Sequence, residues 1–271
     1  MPELPEVETA CRGIAPHLIG QRVAKVVVRQ RQLRWPIPTA LIKTLPGQTI
    51  RAVQRRAKYI LIGTDAGTAL LHLGMSGSLR VVPHSTHPAK ADHVDIVLAN
   101  GQCLRLRDPR RFGSLLWTTG DPAQHKLLKN LGPEPLGKDF DGDYLYSASR
   151  QRRIAVRDFL MNSQVLAGIG NIYANECLFL AAIRPQRAAG KVSRVGYQDL
   201  ARAIRATLKK AIRAGGTTLR DFQNADGAPG YFQQTLNVYG RKGKACLRCK
   251  THLRTVKLGQ RSAFFCPKCQ A

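Results

Sequence analysis

Acidic residues are scarce in this sequence. Its 271 residues include 17 Asp and Glu against 43 Lys and Arg, which gives a formal net charge of +26 and an isoelectric point of about 10.6. So large a basic excess points to a polyanionic partner. Long apolar runs are also absent, which argues against a membrane-spanning helix, and the acidic N-terminus is unlike a signal peptide. The length suggests two domains, and we expect a soluble, cytoplasmic protein.

Cysteine is sparse too, and the odd number of seven argues against a disulfide scaffold. Four of them form the pairs Cys246-x-x-Cys249 and Cys266-x-x-Cys269, sixteen residues apart, a spacing typical of zinc ribbons. Four thiolates close a tetrahedral site, which predicts one structural Zn²⁺ holding a hairpin whose tip lies near residues 259–262. A catalytic zinc is the alternative. The remaining cysteines have apolar neighbours and are predicted to be buried thiols: Cys11, Cys103 and Cys177.

The first eight residues, MPELPEVE, contain three of the seventeen acids. Methionine is normally removed before proline, which would leave Pro2 with a free secondary amine. Apolar residues then recur at three- and four-residue steps, the pattern of an amphipathic helix: Leu4, Val7, Cys11, Ile14 and Leu18. Glu3 and Glu6 would share one flank of its start. An amine can attack a sugar C1′ carbon while a nearby carboxylic acid donates a proton; the alternative is that both acids only cap the helix.

Beyond this helix, residues 21–119 contain many short segments rich in Val, Ile, Leu and Thr, separated by turn signals such as Asp65-Ala66-Gly67 and Asn100-Gly101. This pattern predicts an antiparallel sandwich or barrel. The predicted strands are Val26–Val28, Tyr59–Ile62, Ala69–Leu73, Leu79–Val82, Val94–Leu98 and Ser114–Trp117. A Pro/Gly-rich boundary at residues 131–136 follows. Helices are then predicted near 142–150, 153–162, 171–183 and 197–214, and residues 216–237 as a connector.

Motifs along the whole chain carry a family resemblance. They are residues 1–8, RRAKY at 55–59, HLGMSG at 72–77, DPRRFG at 108–113, GNIY at 170–173, YGRKG at 239–243, and the four cysteines with Gln260-Arg261. In this order they closely resemble the bacterial formamidopyrimidine-DNA glycosylase family, base-excision enzymes for oxidised purines. The resemblance implies an α+β multidomain fold: an N-terminal antiparallel β-sandwich with an N-terminal helix (1–131), a helix–two-turns–helix domain (132–225), and a connector with a β-hairpin zinc finger (226–271).

The resemblance also implies a partner and a role for individual residues. The partner would be double-stranded DNA carrying an oxidised base, bound by a monomer. For catalysis it implies Pro2 as the nucleophile, Glu3 as the acid, Lys58 in β-elimination and Arg261 in δ-elimination. The implied DNA contacts are His72, Met75, His93, Arg110, Phe112, Arg153, Asn171 and Tyr239. Among these, Met75, Arg110 and Phe112 would fill the space left by a nucleotide flipped out of the duplex. Glu6 and Arg220 are candidates for recognising the base.

Two positions depart from the family pattern. Ala91 stands where relatives commonly have a DNA-contacting histidine, and Arg157 stands where a lysine is familiar. Both bear on DNA affinity and damage preference more than on the proposed chemistry. Two alternatives stay open: an endonuclease VIII-like enzyme for oxidised pyrimidines, and a non-catalytic zinc-ribbon protein that binds nucleic acid. The residues after Glu3 and the Arg110/Phe112 pair favour the purine branch.

Overall fold

The computed structural model describes residues 2–215 and 236–271. These residues form two compact units. The N-terminal unit comprises residues 2–129 and 212–215, and the C-terminal unit comprises 130–211 and 236–271. Within the described ranges, no helix has both the length and the apolar character needed to cross a membrane.

The N-terminal unit is mainly β-structure. Its helices and strands are α1 (Leu4–Leu18), β1 (Val23–Val28), α2 (Thr39–Thr44), β2 (Ile50–Arg56), β3 (Tyr59–Thr64), β4 (Gly67–His72), β5 (Ser78–Pro83), β6 (Asp92–Leu98), β7 (Gln102–Arg107) and β8 (Ser114–Thr118). Two four-stranded antiparallel sheets, ordered β1-β6-β7-β5 and β2-β3-β4-β8, enclose one apolar core. This arrangement is the predicted β-sandwich. The Asn100-Gly101 turn joins β6 to β7, with Gly101 at φ +82° as such a hairpin requires.

Helix α1 packs on this core with the predicted stripe. Its apolar residues are 6% exposed or less: Leu4, Val7, Cys11, Ile14 and Leu18. Burial of each large aliphatic side chain contributes about 1.5–3 kcal/mol, and truncation of Ile14 to alanine would cost about 2–5 kcal/mol. The helix start is therefore held firmly on the sandwich, and this matters for the groups at its mouth.

The C-terminal unit combines helices with a hairpin. Its remaining elements are α3 (Gly142–Ser149), α4 (Val156–Met161), α5 (Asn171–Leu180), α6 (Arg194–Arg213), β9 (Arg254–Leu258) and β10 (Arg261–Phe265). Every residue of α5 from Ile172 to Phe179 is buried, so this helix is the centre of the unit. Strands β9 and β10 pair antiparallel around a turn at Gly259-Gln260, where the hairpin tip was predicted.

Some elements differ from the sequence prediction. Strands β2 and β7 were not predicted, because the polar residues in both strands mask the apolar pattern. The short helix α2 was not predicted either. In β7 the cause is specific: Arg105 is 1% exposed, and its guanidinium donates to both carboxylate oxygens of Asp95 at 2.8 Å. The third predicted helix ends at Leu180 instead of residue 183, because Ala182 adopts a left-handed φ of +58°. The three single cysteines are buried, as predicted.

Candidate functional site

The mouth of α1 holds three groups predicted to act in catalysis or recognition. Glu3 is the N-cap, and a capping box closes the first turn: the Glu3 carboxylate accepts from the Glu6 N–H, and Glu6 Oε2 accepts from the Glu3 N–H at 2.8 Å. The two residues are only 2% and 1% exposed, and Pro2 is buried beside them. The capping role expected of the acids is therefore confirmed, and both carboxylates are largely closed to water at the helix start that follows Pro2.

Glu8, one turn further along, ties α1 to the β2–β3 turn. Its carboxylate accepts from Arg55 Nε and from Arg12 Nε, each at 2.7 Å. Burial alone would raise the pKa of the Glu8 carboxyl, but the two arginines outweigh it and leave the pKa below its usual value. Arg55 also donates to the carbonyl of Ala57 at 3.0 Å, and Ala57 has φ +52°. This chain of contacts fixes the turn that carries Lys58.

Lys58 and His72 share one electropositive region. Tyr59 pairs with His72 across β3 and β4, with their rings 4.8 Å apart. Burial, and then the positive charges of Lys58 and Arg34, lower the pKa of His72 to about 4. The imidazole is therefore neutral at neutral pH. Its Nδ1 accepts from the Gly74 N–H at 2.9 Å, which leaves the proton on Nε2 as a donor.

The β4–β5 and β7–β8 turns expose apolar side chains that a core would normally hide. Met75 is 40% exposed and Phe112 is 46% exposed, and the Arg110 guanidinium lies 4.8 Å from the centre of the Phe112 ring. Gly74 has φ +62°, and a Cβ there would lie 2.4 Å from the Phe112 carbonyl carbon. The two turns therefore pack backbone against backbone, with Met75, Arg110 and Phe112 at the surface of this unit.

Asp108 holds these two turns together. It is fully buried; one carboxylate oxygen accepts from Ser76 Oγ at 2.8 Å and the other from the Gly113 N–H at 2.7 Å. Ser76 Oγ in turn accepts from the Arg110 N–H at 3.2 Å. The predicted DNA contact His93 lies beneath the turns, 8% exposed, with Nε2 2.9 Å from the Asp108 carbonyl oxygen. The structure thus places His93 among supporting residues.

In the C-terminal unit, Glu176 on α5 orients the segment that contains Tyr239. Its carboxylate accepts backbone N–H groups from Asn237, Val238 and Tyr239 at 2.8–2.9 Å, and the Asn237 side-chain amide at 2.9 Å. Glu176 is 3% exposed. The Tyr239 ring packs 5.0 Å from the ring of Phe264 in β10. A single buried carboxylate therefore fixes the backbone on which this predicted phosphate contact sits.

The other predicted contacts of this unit lie at the start of α5 and at the hairpin. Asn171 is the first residue of α5 after the N-cap Gly170, at the positive end of the helix dipole, which favours a phosphate. Arg153 and Arg261 are exposed, and Arg261 begins β10 directly after the turn. Arg220 and Met1 lie outside the described residues.

The four paired cysteines fit a structural zinc ion. Their sulfurs lie within 4.8 Å of one another, with Cys249 and Cys266 3.4 Å apart and Cys246 and Cys269 4.0 Å apart. Tetrahedral coordination with Zn–S bonds of about 2.3 Å requires sulfur separations of about 3.8 Å. Gln270 locks the second knuckle, because its Oε1 accepts from the Cys266 N–H and its Nε2 donates to the Ile183 carbonyl.

A second group of possible metal ligands does not suit a cation. His84, Asp95 and Cys103 have ligand atoms within 4.8 Å of one another. However, Asp95 already accepts from Arg29 at 2.5 Å and from Arg105 at 2.8 Å. Two guanidinium charges on the only carboxylate of the group would repel a divalent ion, so this cluster is a buried ion-pair network.

Comparison with known proteins agrees with this geometry. The formamidopyrimidine-DNA glycosylase N-terminal domain matches residues 1–115, and the formamidopyrimidine-DNA glycosylase H2TH domain matches residues 131–223. A zinc finger found in FPG and IleRS matches residues 243–271. The chain belongs to the formamidopyrimidine-DNA glycosylase family. The formamidopyrimidine-DNA glycosylase of Stutzerimonas stutzeri strain A1501 is 58% identical over 270 residues, with both chains fully covered.

Solved structures of this family show the same fold. The Lactococcus lactis Fpg complex with DNA containing an abasic site has a TM-score of 0.91 at 32% identity, with 99% of each chain covered. The Lactococcus lactis complex with DNA containing Fapy-dG has a TM-score of 0.89 at 31% identity, again with 99% of each chain covered. The β-sandwich, the H2TH domain and the zinc finger predicted from the sequence are therefore confirmed.

Sequence reasoning missed several residues that support the site. Asp108 was noticed only as part of a motif, and Glu8 and Glu176 were given no role. Each is one of only 17 acidic residues in the chain. Each carboxylate is wholly or largely buried and accepts hydrogen bonds from neighbouring groups. The scarcity of acidic residues could have indicated these positions. In so basic a protein, an acidic residue within an otherwise apolar helix, such as Glu176 in α5, is a candidate for a structural or catalytic role.

Proposed function

We propose that this protein is a DNA glycosylase with lyase activity, which removes oxidised purines from duplex DNA in base-excision repair. The observation that carries the proposal is the mouth of α1, where the buried residue Pro2 directly precedes the capping box formed by the buried Glu3 and Glu6. Helix capping accounts for the two acids, but a protein that only binds nucleic acid has no use for the free amine of a mature chain that begins at Pro2. Family membership supports glycosylase chemistry, and the relatives bound to Fapy-dG and abasic-site DNA support the substrate class.

The proposed reaction starts at the Pro2 amine of the mature chain. Its lone pair attacks C1′ of the damaged nucleotide, and the base leaves with the electrons of the glycosidic bond and takes up a proton. Glu3 protonates the ring oxygen, so that the sugar opens and C1′ becomes an iminium carbon bonded to Pro2. An unperturbed α-amino group has a pKa of about 7.7–8.0, so a usable fraction is neutral near pH 7.

Strand cleavage would then proceed from the iminium. Loss of a proton from C2′ expels the 3′ phosphate in β-elimination, and loss of a C4′ proton expels the 5′ phosphate in δ-elimination. We assign Lys58 to the first step and Arg261 to the second. The fixed turn under Lys58 and the exposed position of Arg261 next to the hairpin tip support these assignments. Addition of water to the remaining iminium carbon releases Pro2 as the free amine and leaves the sugar fragment as an aldehyde.

Access to a damaged base requires that the nucleotide leave the base stack. We assign Met75, Phe112 and Arg110 to the vacated space: two exposed apolar side chains supply the wedge, and the guanidinium donates to the opposite base. The phosphate contacts we propose are His72, Asn171, Tyr239 and Arg153, and Glu6 and Arg220 would recognise the base. His93 would support the turns from below. The net charge of +26 supplies the general attraction to DNA.

We further propose that one chain acts alone on bacterial DNA in the cytoplasm, with domain limits at residues 1–131, 132–225 and 226–271. The proposal of oxidised purines over oxidised pyrimidines rests on the residues that follow Glu3, at positions 4–8, and on the Arg110/Phe112 pair. Parallel assays on duplexes with 8-oxoguanine, formamidopyrimidine or oxidised thymine test it. Faster release of the thymine lesion would move the protein to the endonuclease VIII type.

The experiment that tests the chemistry replaces Pro2 with glycine. We expect base release and strand cleavage to fall by on the order of 100-fold, while affinity for a duplex with an abasic-site analogue stays within about threefold. Pro38→Gly is the matched control, because Pro38 is the N-cap of α2 and has no proposed role. Unchanged turnover by Pro2→Gly and by a form with an acetylated terminus would rule out the imine mechanism.

A further inference from the structure

Side chains from α4 and α5 hydrogen-bond to the backbone of the zinc-finger hairpin. The Asn175 Oδ1 accepts from the Phe264 N–H at 2.7 Å, and the Asn171 Nδ2 donates to the Ser262 carbonyl at 3.1 Å. Arg157 of α4 extends this row to the tip: its Nη2 donates to the carbonyls of Leu258 at 2.8 Å and Arg261 at 3.3 Å. The hairpin tip is therefore held from both sides of the turn by one guanidinium.

Arg157 is an unusual residue to find in this place. It is 1% exposed, and the one carboxylate recorded beside it among the described residues is the half-buried Asp158, 3.2 Å from Nε. Burial of a guanidinium is costly unless its donors are used. Here the donors of Nη1 and Nη2 are used on hydrogen-bond acceptors from three separate segments: the hairpin tip, Asn171 and the Met161 sulfur. Because burial of this guanidinium is costly, we infer that Arg157 has a specific role at the hairpin tip, where its Nη2 binds two carbonyl groups.

The same guanidinium determines which way the Asn171 amide points. Asn171 Oδ1 accepts from Arg157 Nη1 at 3.1 Å and from Asn175 Nδ2 at 3.2 Å. Because its oxygen faces two donors, the amide nitrogen must point the other way. One of its two hydrogens is used on the Ser262 carbonyl, which leaves the other to donate to a phosphate. Arg157 therefore presents Asn171 as a donor.

We propose that Arg157 is a positioning residue for strand cleavage: it fixes the hairpin tip that carries Arg261 and orients the side-chain amide of Asn171. The inference rests on the proposed function, because it needs Arg261 to act in δ-elimination. The planar fork matters, since two nitrogens about 2.3 Å apart serve separate acceptors that a single ammonium nitrogen reaches less well. Arginine at this family lysine position thus gives the hairpin tip a firmer anchor.

The test compares Arg157→Met, Arg157→Lys and the control Arg202→Met, in the full zinc-loaded chain. Methionine fills the buried space without leaving an unpaired polar group, and lysine keeps the charge but loses the fork. Arg202 is an exposed residue of α6 that pairs with Asp199, so the control removes one positive charge without touching the hairpin. The readouts are the rate of base release, the ratio of δ- to β-elimination products, zinc content and thermal stability.

We expect Arg157→Met to lower the δ-to-β product ratio about tenfold while base release stays within about threefold, because a displacement of about 1 Å at a reacting group costs up to 100-fold. Arg157→Lys should lie between Arg157→Met and the wild type, and Arg202→Met should match the wild type. In an Arg261→Gln background, Arg157→Met should change the ratio no further, since both act on one step.

A wild-type product ratio in Arg157→Met would overturn the inference, and so would an equal fall in base release and in both eliminations, which marks a merely structural role. If Arg157→Met loses zinc, Arg157→Lys decides alone: an unchanged ratio refutes the positioning role. Failure of the proposed function is a different result, because the wild type itself would then release no base and cut no strand.

Discussion

We expect the buried imidazole of His72 to make the stability of the folded protein depend on pH. The structure lowers the pKa of this imidazole to about 4, against 6.5 for an unperturbed histidine, through burial and then the charges of Lys58 and Arg34. At about 1.4 kcal/mol per pKa unit, protonation of the folded protein at this residue carries a penalty of about 3 kcal/mol. The hydrogen bond from the Gly74 N–H to Nδ1 also opposes protonation, because Nδ1 can accept it only while that nitrogen carries no proton.

The sign follows from the depressed pKa. Above pH 6.5 both folded and unfolded chains have a neutral His72, and the residue adds no pH dependence. Between pH 6.5 and 4 the unfolded chain takes up the proton first, so the free energy of unfolding falls as the pH falls. Below pH 4 both states are protonated and the loss, about 3 kcal/mol, is complete.

The assay compares urea unfolding of the wild type with that of His72→Gln from pH 7.5 to pH 4. Glutamine does not titrate, and loss of zinc in acid affects both proteins, so it cancels in the difference. We expect the stability of the wild type relative to the variant to decrease by about 3 kcal/mol over this range. An NMR titration in which the His72 ring protonates with a midpoint near pH 6.5 would refute the reasoning.

Three further predictions test the supports of the site. Gly74→Ala should weaken binding to an abasic-site duplex at least about tenfold, because its Cβ would meet the Gly113 nitrogen at 2.4 Å, whereas Gly101→Ala, equally left-handed but with open space around it, should bind normally. Glu176→Gln should lower the free energy of unfolding by about 1–3 kcal/mol in urea titrations and weaken DNA binding through Tyr239. The reason is that a side-chain amide cannot accept all the backbone N–H groups that the Glu176 carboxylate accepts. Unchanged values for both measurements would contradict the assigned role. Removal of zinc by a chelator should unfold the hairpin and abolish DNA binding, both restored by added Zn²⁺, as circular dichroism and gel-shift assays can show; retained binding would exclude the structural role.

Local patterns in the sequence predicted much of the fold. The apolar repeat of α1, the Asn100-Gly101 turn and the paired CxxC motifs are determined by residues close together in the chain, and each was confirmed. The helices of the C-terminal unit were also predicted, with ends displaced by a few residues. Strand β7 was missed because its buried Arg105 is paired with Asp95, ten residues away on the neighbouring strand.

The supports of the site could not be predicted in the same way. Asp108 meets Ser76 across 32 positions of the chain, Glu176 meets Val238 across 62, and Arg157 meets the Leu258 carbonyl across 101. No periodicity or spacing encodes such pairs, because they depend on how separate elements pack. Even Glu6, expected beside the amine, has a structural contact to the Glu3 backbone that the motif alone does not specify.

The imine mechanism is tested most directly by borohydride trapping on a duplex with one 8-oxoguanine opposite cytosine, using protein shown by mass spectrometry to lack Met1. We expect a covalent adduct that peptide mapping assigns to Pro2, and no adduct when Met1 is retained and the Pro2 nitrogen is an amide. Base release and strand cleavage without any adduct at Pro2, or tight binding with neither reaction, would contradict the imine mechanism.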